Sequence, residues 1–307
     1  MLVVAALGGN ALLRRGQALT AENQRENARA AAGALAGIVR AGHDLVITHG
    51  NGPQVGLLAL QGLAYKPDEA YPLDVMGAET EGMIGYLIEQ ELENALDHDR
   101  AVVTLLTQIR VDPDDPAFAK PTKFVGPVYE RQEAETLAQR HGWSIAQDGD
   151  HWRRVVPSPA PVEIPDLKAI RQLLIHGTIV ICAGGGGIPV MARPDGGLTG
   201  VEAVIDKDAA SRLLAEALGA DALLMLTDVD GIMWDFGTDR ARRIGHLTPQ
   251  EARALDLPDG SMGPKAAAAA RFADSATGRW AAIGKLDDAL GLILGSAGTR
   301  IATAPPV

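Results

Sequence analysis

The sequence predicts an α/β fold: a mainly parallel β-sheet covered on both faces by helices. Short apolar runs alternate with longer helical patterns along the chain. The runs are apolar throughout rather than alternating with polar residues, which marks strands buried on both sides. Four of the runs end in glycine- or aspartate-rich turns, and the carboxyl edge of a parallel sheet is where such folds bind ligands.

Strands are predicted at 2–7, 45–48, 101–107, 178–183, 222–226, 280–283 and 300–303, with helices at 20–40, 54–63, 73–97, 207–218 and 265–275. The opening run has no basic stretch before it and passes straight into Gly8-Gly9-Asn10, so it reads as a first strand and not a secretion signal. In the helix at 20–40, Ala28, Leu35, Ile38 and Val39 fall on one face. The run at 45–48 leads into His49-Gly50-Asn51-Gly52-Pro53-Gln54-Val55-Gly56. Its glycines allow a tight turn and close backbone approach, and Pro53 suits a first helical turn. Strand, glycine loop and helix start together form an anion-binding arrangement. A short helix is predicted at Thr248-Pro249-Gln250-Glu251, where Thr248 and Glu251 have capping-box spacing.

Residues 112–165 break this rhythm. They hold 8 of the 18 prolines, which excludes a continuous strand or helix, yet Trp143, Trp152 and Tyr129 argue against a disordered linker. The stretch reads as an inserted subdomain or lid within one domain spanning 1–307.

Apolar residues make up 47% of the 307, enough to bury a large core. No apolar run reaches the roughly 18 residues a membrane helix needs. The formal net charge of -11 repels nucleic acid and anionic membrane, so positive charge for an anionic ligand must be local. A single cysteine, Cys182, excludes an intrachain disulfide; at the end of an apolar strand it reads as a buried, inert thiol. Cytoplasmic localisation is the expectation.

The four suggestive strand ends are Gly8-Gly9-Asn10, the loop at 49–56, Gly184-Gly185-Gly186-Gly187, and Thr227-Asp228-Val229-Asp230-Gly231. On one sheet edge they make a site for a multiply charged anion and a second ligand. There is no P-loop, no G-x-G-x-x-G opening the first helix, and no hydrolase, zinc-protease or protein-kinase motif. The histidines show no metal-ligand spacing; His49 reads as positioning its loop. Three lysines stand out: Lys207 at a predicted helix start in Val204-Ile205-Asp206-Lys207-Asp208, Lys265 in Gly260-Ser261-Met262-Gly263-Pro264-Lys265, and Lys123 in the insertion. A lysine at a helix N-terminus opposes the helix dipole and makes sense where an anion also binds.

At these residues the chain resembles the amino acid kinase superfamily and, within it, the carbamate kinases. The resemblance runs nearly end to end, through ALGGNAL, HGNGPQVG, PTKFVGPVY, WRRVVPSPAP, ICAGGGGIPV, GVEAVIDKDAAS, LTDVDGI and GSMGPK. Many relatives in the wider superfamily carry a lysine two residues before the first glycine pair, where this chain has Ala6. The resemblance implies that Lys123 of the insertion supplies that charge. It further implies a three-layer αβα fold with a protruding lid, a homodimer, and reversible phosphoryl transfer between carbamoyl phosphate and ADP giving ATP and carbamate, with Mg²⁺ arriving on the nucleotide. By the same resemblance Lys123 and Lys207 contact the transferring group, Lys265 the nucleotide phosphates, and Asp208 orients the lysines. Gly8, Gly9, Asn10, Gly50, Asn51 and Gly52 are expected to donate to carbamate and phosphoryl oxygens, with Asp228 and Met262 on the nucleotide side. Two alternatives stay open on the sequence: an acyl-phosphate kinase for a larger acid, and a non-catalytic nucleotide-binding relative.

Overall fold

The computed structural model describes residues 1–14, 16–66, 71–258 and 261–303; the side chains of Asn10 and Ala11 also lie outside the described set. In chain order the elements begin with β1 (Leu2–Leu7), α1 (Gly9–Leu12), α2 (Ala21–Arg40), β2 (Asp44–His49), α3 (Gly52–Tyr65), α4 (Leu73–Ala95), β3 (Val102–Thr104) and β4 (Gln108–Val111). Next come β5 (Lys123–Tyr129), α5 (Arg131–His141), β6 (Ser144–Asp148), β7 (His151–Val156), β8 (Pro161–Glu163), α6 (Leu167–Ile175), β9 (Ile179–Ile181), β10 (Ile188–Ala192) and β11 (Leu198–Gly200). The chain continues through α7 (Lys207–Leu218), β12 (Ala222–Thr227), β13 (Met233–Trp234), β14 (Arg242–Arg243), β15 (His246–Leu247), α8 (Pro249–Ala254), α9 (Met262–Asp274), β16 (Trp280–Lys285), α10 (Ala289–Leu294) and β17 (Thr299–Ala302).

Eight strands form the central sheet in the order β15-β17-β16-β12-β1-β2-β9-β3. All neighbours run parallel except β16 and β17. Successive strand side chains point to opposite faces, and the two faces close two separate cores. Val3, Ala5, Leu7, Leu45 and Ile47 pack with Ala28, Leu35 and Ile38 of α2, Ile84 and Ile88 of α4, and Leu292 of α10. Val4, Ala6, Val46 and Val180 pack with Ile170 of α6, Leu214 of α7, Ala252 of α8, and Ala269 and Phe272 of α9. Helices on both faces of one mainly parallel sheet give the three-layer α/β fold expected.

Helix starts follow their capping residues. Thr20 caps α2 by accepting the Asn23 N–H at 3.2 Å. Thr248 and Glu251 form the expected capping box on α8. Asp206 caps α7, accepting the N–H groups of Asp208 and Ala209 at 3.0 and 3.1 Å. Helix α9 begins at Met262 and not at Lys265, which lies one turn inside it.

The run expected as one strand at 101–107 is two. After β3 the chain turns at Thr107, whose N–H donates to the buried Glu81 carboxylate at 2.8 Å and whose hydroxyl donates to Leu105 O at 2.7 Å. Strand β4 then leaves for a second sheet, ordered β11-β10-β4-β8. Within 112–165, β8 pairs with β4 on the body of the molecule, whereas β5, β7 and β6 form a separate antiparallel sheet alongside α5. That sheet rests on the body through Val125 and Val156, which pack with Val55 of α3 and Leu73 and Met76 of α4.

Candidate active site

The carboxyl ends of β1, β2, β9 and β12 share one edge of the central sheet. A cavity of about 380 Å³ opens above it, lined by Gly9, Gly50, Asn51, Gly52, Lys123, Lys207, Asp208 and Lys265 among others. Eight residues expected at the site from the sequence therefore meet around one space, carried by five separate segments.

Asp208 organises the cations. It is buried, one carboxylate oxygen accepts from Lys207 Nζ, and the other accepts from Lys265 Nζ at 3.1 Å. Burial alone would raise its pKa, but the two ammonium groups outweigh that and hold it down at about 2. The carboxylate is thus a fixed anion that keeps two lysine side chains of different helices side by side. Lys123 reaches the same cavity from β5, and its Nζ donates to Asp206 Oδ2 at 3.0 Å.

The glycine loops divide into donors and spacers. Gly9 opens α1 and Gly52 opens α3, and first-turn N–H groups have no acceptor within their own helix. Gly8 and Gly50 differ from expectation: the Gly8 N–H is donated to Leu226 O at 2.8 Å and the Gly50 N–H to Leu7 O at 3.1 Å. Their N–H groups hold neighbouring strand ends together. Gly50 is there for close approach, since a Cβ on it would lie 3.1 Å from Gly9 N. The Asn51 amide is buried and donates to Thr80 Oγ1 of α4 at 2.9 Å, so one of its two N–H bonds is engaged by the protein. Asn10 lies in α1, and its side chain is outside the described residues.

Asp228 and Met262 do not line the cavity. Asp228 follows β12, where the Thr227 hydroxyl donates to its Oδ1 at 3.1 Å. Met262 begins α9 and packs against the apolar cluster beneath it.

Behind the loops lies a buried layer in which sequence reasoning had placed His49 and Cys182 but not Glu81. His49 is buried and its pKa is lowered to about 4, first by burial and further by the Lys207 charge, so its ring is neutral. Its Nδ1 lies 3.2 Å from Gly50 O. Glu81 of α4 is also buried, and burial pushes its carboxyl well above the usual range. Gly184 fits between the two, because a Cβ there would meet the His49 ring at 2.4 Å and Glu81 Cγ at 3.1 Å. Burial, with the Glu81 and Asp166 charges, pushes the Cys182 thiol up, as an inert thiol requires. Glu81 sits in an ordinary helical pattern with nothing local to flag it. Asp206 was visible as an acidic residue immediately before a predicted helix, where N-caps occur.

The model of the amino acid kinase family matches residues 1–279. A carbamate kinase of Rhizobium meliloti is 54% identical over 306 residues, covering 99% of this chain and 94% of that one. The chain belongs to the carbamate kinases of the amino acid kinase family. A carbamate kinase of Pyrococcus furiosus is 45% identical over 310 residues, covering 97% and 98% of the two chains. The solved structure of a carbamate kinase from Giardia lamblia, bound to AMP-PNP, superposes with a TM-score of 0.90 at 40% identity over 98% of each chain. The similarity thus extends over the central sheet, the second sheet and the β5-β7-β6 sheet together.

Proposed function

We propose that this protein transfers a phosphoryl group reversibly between carbamoyl phosphate and ADP, giving ATP and carbamate. The observation that carries this reading is the convergence of Lys123, Lys207 and Lys265 on one cavity beside two helix starts, with Asp208 clamped between two of them. Carbamate is already an anion, so its oxygen needs no general base. His49, neutral and buried behind the loop, is not poised to act as one. The remaining task is to align two anions and balance charge on the moving phosphoryl group, which is what preorganised cations and N–H groups do.

In this reading Lys123 and Lys207 hold the transferring phosphoryl oxygens and Lys265 the nucleotide phosphates. Gly9, Asn10, Asn51 and Gly52 fix the carbamoyl end; Asp228 and Met262 belong to the nucleotide side, beyond the cavity. The segment 112–165 serves as a lid that delivers Lys123. Among the described residues no group of three or more His, Cys, Asp or Glu could hold a metal ion. The Asp208 carboxylate is already taken by two ammonium groups, which fits a Mg²⁺ that arrives on the nucleotide and neutralises phosphate charge there. We propose a cytoplasmic homodimer. No helix among the described residues is long and apolar enough to cross a membrane, and Leu60, Tyr65 and Tyr86 expose apolar surface on α3 and α4 for a second copy.

The test is ATP formation from carbamoyl phosphate, ADP and Mg²⁺ by wild type and Lys123→Ala. The expected result is turnover by wild type and a loss of order 10²–10³ in the variant with ADP affinity nearly unchanged. A folded wild type that binds nucleotide without turning over this pair would point to a larger acyl substrate.

A further inference from the structure

Lys123 and Arg154 lie on one face of the protruding sheet. The register pairs Lys123 with Val156 and Val125 with Arg154, and cross-strand partners share a face, as do residues two apart on a strand. Val125 and Val156, at the centre of that face, are buried against the body of the molecule. The two cations beside them each meet a carboxylate from the short segment between β11 and α7. Lys123 donates to Asp206 Oδ2 at 3.0 Å, and Arg154 donates to Glu202 Oε1 at 2.6 Å.

Each of these carboxylates is itself held in place by a helix start. The other oxygen of Asp206 accepts the first-turn N–H groups of α7, the helix that carries Lys207 and Asp208. The other oxygen of Glu202 accepts the Leu73 N–H at the start of α4. Neither acid is free to swing, so each is a fixed point to which a cation of the protruding sheet is tied. The pairs are half-exposed, with Lys123 at 39% and Asp206 at 33%, so they add little to overall stability. What they fix is position.

We infer that Asp206 is the positioning residue for Lys123, with Glu202 holding the far end of the same sheet face through Arg154. An ammonium group has three N–H donors. One is spent on Asp206, and two remain for phosphoryl oxygens in the cavity. Asp206 thereby sets where the amine of the protruding sheet stands relative to Lys207, on the helix that Asp206 itself caps. This inference rests on the phosphoryl-transfer reading above.

The decisive variant is Asp206→Asn, because an asparagine side chain caps a helix as well as aspartate does but carries no charge. Turnover of carbamoyl phosphate and ADP should fall at least tenfold, with melting temperature and ADP affinity near wild type. Asp206→Ala should lose turnover equally and also melt earlier, because it removes the cap. In a Lys123→Ala background, Asp206→Asn should cause no further loss, since its effect passes through the missing amine. A second readout needs no activity. Acetic anhydride labelling of Lys123 in the ligand-free protein, followed by mass spectrometry, should rise severalfold in Asp206→Asn. It should also rise in Glu202→Gln, which leaves the α7 cap untouched. Unchanged labelling in both variants, or multiplying losses in the double variant, would overturn the inference. Raised labelling in a wild-type background that shows no turnover would keep the placement and discard the reaction.

Discussion

At the residue scale, three ionisable side chains within reach of the glycine loops are displaced from their ordinary behaviour, each for a different reason. Asp208 is kept ionised against its burial by two ammonium groups, His49 is kept neutral by burial, and burial pushes the Glu81 carboxyl up. The pH dependence of stability follows in sign from each. His49 has a depressed native pKa of about 4 against an ordinary 6.5, so between those values the unfolded chain binds a proton that the native chain does not. Its contribution is full above pH 6.5 and is lost as pH falls toward 4, by about 3 kcal/mol at roughly 1.4 kcal/mol per pKa unit. Glu81 acts in the opposite direction: its raised pKa contributes stability below the ordinary carboxyl range that is lost as pH rises. Asp208, depressed to about 2, matters only at more acid pH. Subtracting the curve of His49→Gln from that of wild type isolates the histidine. Urea unfolding at pH 7, 5.5 and 4.5 should show the variant losing about 2–3 kcal/mol less than wild type across the range. Parallel curves would mean that the native ring takes up its proton as readily as the unfolded one.

At the element scale, α4 is the strut of the site. Thr80 orients the Asn51 amide, Glu81 anchors the Thr107 turn, and Gly85 lets the helix lie against β3. A Cβ on Gly85 would fall 2.2 Å from Thr104 Cγ2 and 3.1 Å from Thr104 Cβ, and threonine is too short and too stiff to move aside. Gly85→Ala should therefore destabilise by about 1–3 kcal/mol despite alanine's better helix propensity. Thr104→Ala in the same chain should restore most of that loss, because it removes Cγ2 and a buried hydroxyl that has no hydrogen-bond partner among the described residues. Equal thermal stability of wild type and Gly85→Ala would show that the helix simply shifts. The existence of α4 was legible in its helical pattern, and the cap at Thr248 was legible because a cap is local chemistry. The three contacts of α4 were not, since they join residues 19 to 29 positions apart whose proximity is set only by the fold. The same reason hid the break between β3 and β4: Leu105 and Leu106 continue an apolar run, and the turn is held by the distant, buried Glu81 carboxylate together with the Thr107 hydroxyl.

At the scale of the whole molecule, the central sheet was legible nearly strand by strand because each strand is buried on both faces. The second sheet and the protruding sheet were not, because the strands of the first are only 3 to 5 residues long and those of the other are half-exposed. The two are energetically unequal. One large apolar cluster runs from the central sheet into the second sheet through Ile109, Val111 and Val190, whereas the protruding sheet shares only the small cluster around Val125 and Val156 with the body. Its ends also meet, since the Thr122 N–H donates to Val156 O at 3.2 Å, and the chain beyond is held to the body by Val204 N–H donating to Pro157 O at 3.0 Å. Deleting 123–155 and joining Thr122 to Val156 through two glycines should therefore leave a cooperatively folded protein. Its stability should fall by about 3 kcal/mol, the order expected for uncovering the apolar side chains that Val125 packs against. Lys207, Asp208 and Lys265 are untouched, so calorimetry should show ADP binding within a few-fold of wild type. Phosphoryl transfer should drop by at least about 10³, because the amine of Lys123 and the exclusion of water by the sheet leave together. Failure of the truncated chain to melt cooperatively would make the protruding sheet part of the core. Retained turnover would remove Lys123 from the chemistry and return the reaction to the two lysines that Asp208 holds.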